Sequence, residues 1–97
     1  MSLKIEKKNA ETLVLEGRLD TMTAPELETE ISAVLPDVQT LTLDMEKLDY
    51  ISSAGLRVIL KTQKALEKKS GLKLTNVPEA VKEVFDITGF SDFLTIE

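Results

Sequence analysis

Stretches in which apolar and polar residues alternate are separated along the chain by stretches of helical spacing. Alternation with a period of two is typical of half-exposed strands, and an apolar stripe with a period near 3.6 is typical of an amphipathic helix. The alternating segments are residues 3–5, 12–19, 40–45, 72–77 and 93–96. Helical spacing occupies residues 24–35, 56–69 and 78–88. The pattern therefore predicts the order β-β-α-β-α-β-α-β.

Start and stop signals support these boundaries. Thr23 is placed to cap the first helix, with Glu26 completing a capping box and Pro25 in the first turn. Pro36 is expected to end that helix, and residues 46–51 to form a connection from the third strand. Gly17 is interpreted as a bulge or a close backbone approach in the second strand.

A hairpin followed by alternating helices and strands predicts an α/β fold. We expect a mixed sheet with parallel βαβ units after the first strand and with helices covering mainly one face. The 97 residues are expected to form a single domain over residues 1–97, since a chain of this length supports one modest core.

The charge balance argues against nucleic acid and anionic membranes as partners. The chain has 12 basic and 17 acidic residues and a net charge of −5. Its nearest basic cluster is interpreted as a solvated helix face and consists of Lys61, Lys64, Lys68 and Lys69. With no signal-peptide core and no membrane-spanning run, we expect a cytoplasmic protein without membrane insertion.

The absence of histidine and cysteine argues against enzymatic activity. Histidine is the commonest general base, and a solvated lysine stays protonated, so a serine nucleophile has no evident activator. The carboxylates of Asp44, Glu46 and Asp49 could hold a hard cation, but they are interpreted as solvated loop acids. We therefore expect neither an enzyme, nor a cofactor, nor a metal site.

Two adjacent hydroxyls, Ser52 and Ser53, stand where the longest helix begins. One interpretation is a helix cap, because a side-chain oxygen there accepts from a free backbone N–H. The other is a modification site, because the dipole and free N–H groups of a helix start favour an added phosphate. The residues alone leave both interpretations open.

The segment at residues 49–60 resembles the signature of STAS domains, in particular the small bacterial anti-anti-sigma factors. Residues 16–20 are similar to the family's Gly-x-Leu-Asp segment. Residues 41–45 resemble the strand before its phosphorylation loop, and residues 77–90 resemble its last helix and exit. The resemblance implies a STAS fold for nearly the whole chain.

The resemblance also implies site residues. Aligned on Gly55 and Leu56, Ser53 takes the position phosphorylated in the family, Ser52 replaces the usual aspartate, and Ser52 is the alternative phosphorylation site. The implied partner-binding surface consists of Gly17, Arg18, Asp20, Thr21, Ser52, Ser53, Ala54, Gly55, Leu56 and Arg57.

In the family, the unphosphorylated protein binds an anti-sigma factor that is also a serine kinase and thereby releases a sigma factor. Phosphorylation ends that binding, and a metal-dependent serine phosphatase restores it. The resemblance implies this function here. An alternative is a constitutive STAS interaction subunit of a transporter or larger signalling complex, in which the serine segment is only a docking surface.

Overall fold

The computed structural model describes residues 3–92 and 94–97 and has the predicted element order. The strands are β1 (Leu3–Asn9), β2 (Thr12–Leu19), β3 (Thr40–Ile51), β4 (Gly71–Thr75) and β5 (Thr95–Ile96). The helices are α1 (Ala24–Val34), α2 (Ser53–Leu66) and α3 (Glu79–Thr88). Short 3-10 turns occupy Leu35–Asp37 and Phe90–Asp92.

The strands form one sheet in the order β1-β2-β3-β4-β5. β1 is antiparallel to β2, and every later neighbour pair is parallel. Each parallel crossover advances in the same direction, and right-handed crossovers of this kind place their helices on one face. The predicted mixed α/β sheet is confirmed.

Burial along the strands shows which face is covered. Leu13 and Leu15 of β2, like Leu41 and Leu43 of β3, are at most 2% exposed. Glu16, the next residue of β2, is exposed. The buried strand positions join the apolar stripes of all three helices in a single core. The opposite sheet face is polar and half-exposed, so the helices cover mainly one face.

β3 is longer than predicted, because residues 46–51 continue the strand instead of forming a connection. Its pairing with β2 shifts between Val14 and Glu16 and again between Gly17 and Arg18. Each shift inserts one additional β3 residue, which interrupts the strict alternation by which a strand is recognised. The irregularity predicted at Gly17 is thus present, but the inserted residue belongs to β3.

The helix boundaries also differ from the prediction. The proposed capping box is wrong, because the Thr23 side chain makes no capping hydrogen bond to α1. α2 begins three residues before the predicted residue 56 and ends three residues before the predicted residue 69.

Lys69 is not part of a solvated helix face: its Nζ donates to the carbonyl oxygens of Leu35 and Val38 at 2.8 and 2.9 Å. The Lys69 ammonium thus adds a charged donor to two carbonyls of the segment that follows α1.

The end of the chain forms the short strand β5 beside β4. Of the residues predicted for a last strand, Phe93 lies outside the described residues. In the parts that are described, no helix is both long and apolar enough to cross a membrane.

Candidate functional site

The two segments singled out in the sequence meet at one edge of the sheet. β2 and β3 run parallel, with Arg18 beside Tyr50 and Leu19 beside Ile51, so their carboxyl ends lie side by side. The backbone N–H of Ser52 donates to the Leu19 carbonyl at 2.8 Å and ties the two ends together. Such a strand end is where α/β sheets commonly place functional groups. We call residues 52–55 the serine turn and residues 20–23 the acidic loop.

The two serines of the serine turn have different roles. Ser52 is the N-cap of α2: its backbone is extended (φ −99°, ψ 174°) and its Oγ accepts from the Gly55 N–H at 3.3 Å. Ser53 is the first residue of α2 and is exposed. Within residues 3–92 and 94–97, the Ser53 hydroxyl has no hydrogen-bond partner. The cap interpretation therefore applies to Ser52, and the Ser53 hydroxyl is accessible.

Gly55 and Leu56 lie in the core and not on the predicted partner-binding surface. Leu56 is 5% exposed and Gly55 is also buried. A Cβ on Gly55 would lie 2.6 Å from Leu19 Cγ, closer than carbon atoms pack, and 3.1 Å from Ile51 Cγ1, which is tighter than an ordinary contact. Glycine is therefore required for α2 to begin directly against the ends of β2 and β3, and its contribution to the site is positional.

The acidic loop is held by hydrogen bonds between Asp20 and Thr23. The Asp20 carboxylate accepts from the backbone N–H groups of Met22 and Thr23 at 2.9 and 3.0 Å. The Thr23 hydroxyl donates to the Arg18 carbonyl at 2.7 Å and accepts from the Asp20 N–H at 2.8 Å. Since Thr23 is 3% exposed, its hydroxyl fixes the loop from inside, which the sequence-based capping interpretation missed.

The pKa of the Asp20 carboxyl lies below its ordinary value of 3.8, chiefly because the Thr23 N–H donates to the charged form. The Met22 N–H and the Arg18 charge lower the pKa further, while desolvation opposes them. These bonds favour the carboxylate, so Asp20 is an ionised part of the surface at neutral pH.

This lowered pKa predicts a specific pH dependence of stability for Asp20→Asn. A depressed folded-state pKa contributes stability above the unfolded-state value and loses it as pH falls through the folded-state value. The difference in unfolding free energy between the wild type and Asp20→Asn should therefore be largest at neutral pH and shrink below pH 3.8. Urea unfolding across a pH series measures this, and a difference that does not change with pH would contradict it.

Arg18, a member of the predicted partner-binding surface, contacts Tyr50, to which the sequence analysis assigned no role. The Arg18 guanidinium carbon lies 4.1 Å from the centroid of the Tyr50 ring, within the range of a cation–π contact. Arg18 Nε also lies 3.7 Å from Asp20 Oδ2. Tyr50 remains 41% exposed and is the chain's only tyrosine, a signal that could have drawn attention to it.

An open groove extends from the serine turn between the first halves of α1 and α2. Its volume is about 230 Å³, and its lining includes Thr21, Ala54 and Arg57. Met22, at the tip of the acidic loop, is 82% exposed. A partner docking beside Ser53 would therefore meet an exposed apolar side chain, an arginine and a groove within one surface.

The residues predicted for the partner-binding surface differ in how exposed they are. Thr21, Ser53 and Arg57 are exposed. The half-buried members are Gly17, Arg18, Asp20, Ser52 and Ala54.

The acids considered as cation ligands lie elsewhere on β3, and Asp44 Oδ1 already accepts hydrogen bonds from the Glu46 N–H and the Asn76 amide at 3.1 and 3.2 Å.

Comparison with known proteins identifies the family. The family model described as "Mlab, STAS domain" matches residues 4–96. The chain belongs to the STAS domain family. Several of its relatives are named as anti-sigma factor antagonists. A putative anti-sigma factor antagonist, BtrV of Bordetella bronchiseptica, is 44% identical over 78% of this chain and 67% of its own length.

Two further relatives match almost the entire chain. The anti-sigma-B factor antagonist of Bacillus subtilis is 30% identical over 99% of this chain and 92% of its own length. The solved structure of the anti-sigma factor antagonist SpoIIAA in its unphosphorylated form is 25% identical, with a TM-score of 0.76, over 98% of this chain and 87% of that one. These relatives are named for a regulatory role and confirm the resemblance.

Proposed function

We propose that this STAS protein is a phosphorylation-switched antagonist whose unphosphorylated form binds an anti-sigma factor that is also a serine kinase. In this scheme binding releases a sigma factor in the cytoplasm, phosphorylation of Ser53 ends the complex, and a metal-dependent serine phosphatase restores it. The protein itself acts as a binding module and not as an enzyme.

The proposal rests on the different environments of the two adjacent hydroxyls, those of Ser52 and Ser53. Ser52 Oγ is half-buried and caps α2, whereas the Ser53 hydroxyl projects from an exposed position in the first turn. A kinase can reach Ser53 without opening the helix, while modification of Ser52 would cost a cap worth about 1 kcal/mol. The name of SpoIIAA "in its unphosphorylated form" adds support from a relative.

A phosphate on Ser53 is compatible with the fold. It would add about −1.5 to −2 charges at the start of α2, where the helix dipole favours negative charge. The core beneath the serine turn need not move, so the modification would change chiefly the charge and shape of the surface. A partner in close contact with that surface then loses affinity.

Phosphate transfer from the cognate kinase tests the site assignment. With the kinase and ATP, the wild type should gain one phosphate by intact mass, and Ser53→Ala should gain none. Ser52→Ala is the matched control and should still accept phosphate, although its weakened cap lowers stability by about 1 kcal/mol. Equal phosphorylation of Ser53→Ala and wild type would move the site away from Ser53, and constitutive binding without any phosphorylation would favour the alternative interaction-subunit function.

A further inference from the structure

β1 is an edge strand, separated by β2 from the strand β3 whose carboxyl end leads into the serine turn. In the described part of the chain, β1 pairs with β2 alone, so half of its backbone N–H and C=O groups face away from the sheet. At seven residues it is much longer than β5 at the other edge, which has two. β1 therefore offers a usable template for an additional strand.

The side chains of β1 alternate between the two faces of the sheet. Leu3 and Ile5 lie on the core side, with Leu3 buried and Ile5 half-buried. Lys4 and Glu6 are exposed on the open face, opposite Glu16 and Val14 of β2. Ile5 is thus flanked in the chain by one positive charge, on Lys4, and one negative charge, on Glu6.

This pattern is complementary to itself in one antiparallel register. With Ile5 opposite Ile5 of a second copy, Lys4 faces Glu6 twice and the two Ile5 side chains meet on the core side. If both copies shift by one residue, so that Glu6 takes the central position of Ile5, Glu6 faces Glu6 and Lys4 faces Lys8. A further slip brings Glu6 opposite Lys8 but also Lys7 opposite Lys7, and its centre lies next to the register shift between Lys7 and Asn9 that ends regular pairing. Opposite charges directly across strands stabilise and like charges destabilise, so one register is selected.

A groove beside β1 supplies a second charge match. It lies between the core side of β1 and the outer side of α1, has a volume of about 400 Å³, and is lined by Leu3, Ile5, Glu26, Thr29 and Glu30. In the selected register, Lys7 of the second copy lies opposite Leu3. Its side chain would then point toward the groove that Glu26 and Glu30 line.

We propose that the outer edge of β1 is a self-association surface whose occupant is β1 of a second copy. The two chains would share one continuous sheet through a twofold axis at Ile5, with each contact made twice. Because that axis reverses the strand direction, the two serine turns lie at opposite ends of the dimer, and both remain open to a partner.

Charge reversal on the open face tests this pairing. Sedimentation equilibrium over a concentration series should show a reversible monomer–dimer equilibrium for the wild type. Glu6→Lys and Lys4→Glu each replace two attractive pairs by repulsive ones and should raise the dissociation constant by about tenfold or more. The matched control Glu46→Lys makes the same charge change at an exposed position of β3 and should leave the constant unchanged.

Two further combinations of these substitutions distinguish a loss of strand pairing from misfolding of the variants. The double variant Lys4→Glu/Glu6→Lys restores opposite charges across the axis and should dimerise like the wild type. An equimolar mixture of the two single variants should form mixed dimers, although neither variant dimerises well alone. Circular dichroism melts verify that every variant is folded. A wild type that stays monomeric at all concentrations, or single variants that associate as strongly as the wild type, would overturn the proposal.

Discussion

Replacing Ser53 by aspartate is expected to weaken binding of the anti-sigma factor partner by at least about tenfold, or 1.4 kcal/mol. Ser53 is exposed beside the groove between α1 and α2, so a partner that covers this surface must desolvate any charge placed there. An uncompensated carboxylate in an interface loses more in desolvation than it regains. The fold should persist, because a negative charge in the first turn of a helix is favourable.

The matched control is Ser53→Asn, which has nearly the shape of aspartate without the charge. It should bind far more tightly than Ser53→Asp, and Ser70→Asp, at an exposed position distant in the chain, should bind like the wild type. Isothermal titration of each variant with the partner measures these affinities. If Ser53→Asp and Ser53→Asn bind equally, charge at this position does not control the interaction.

Replacing Gly55 by alanine is expected to destabilise the protein by about 1–3 kcal/mol, the typical cost of overpacking a core. The added methyl would lie 2.6 Å from Leu19 Cγ and 3.1 Å from Ile51 Cγ1. Both neighbours are at most 4% exposed and have little room to move. The higher helix propensity of alanine offsets up to about 1 kcal/mol of this cost. Urea unfolding measures the net effect.

A double-mutant cycle with Leu19→Ala attributes the effect to this contact. Leu19→Ala alone should cost about 2–5 kcal/mol because it leaves a cavity. In that background the Gly55→Ala methyl has space, so its further cost should fall or change sign. Strictly additive costs would show that the clash with Leu19 is not the reason for glycine at this position.

The element order could be predicted because local patterns and tertiary packing agree over most of the chain. Leu13 and Leu15 alternate with polar neighbours, and both are buried. The prediction was wrong at residues 46–51, where two inserted residues in β3 break the period of two without ending the strand. Nothing local distinguishes such a bulged strand from a loop, because the missing information lies in its pairing with β2.

The two segments of the candidate site could be predicted from the sequence, but the structural roles of their residues could not all be assigned. Adjacent serines before a helical stripe indicated both a cap and an accessible hydroxyl, and only the backbone geometry assigns the cap to Ser52. Serine and aspartate are both good caps, so Ser52 keeps the structural role that an aspartate would have there. Thr23 fits a capping pattern, yet its hydroxyl is drawn to the Arg18 carbonyl across the loop. Gly55 was assigned to the surface because a sequence motif does not reveal which members face inward.

The most direct test of the switch compares one preparation of the protein before and after phosphorylation of Ser53. Each form is titrated into the complex of the cognate anti-sigma factor with its sigma factor, and release of the sigma factor is followed by fluorescence anisotropy. We predict that the unphosphorylated form releases the sigma factor, that the phosphorylated form does not, and that phosphatase treatment restores release. Equal release by the two forms would contradict a phosphorylation switch at Ser53.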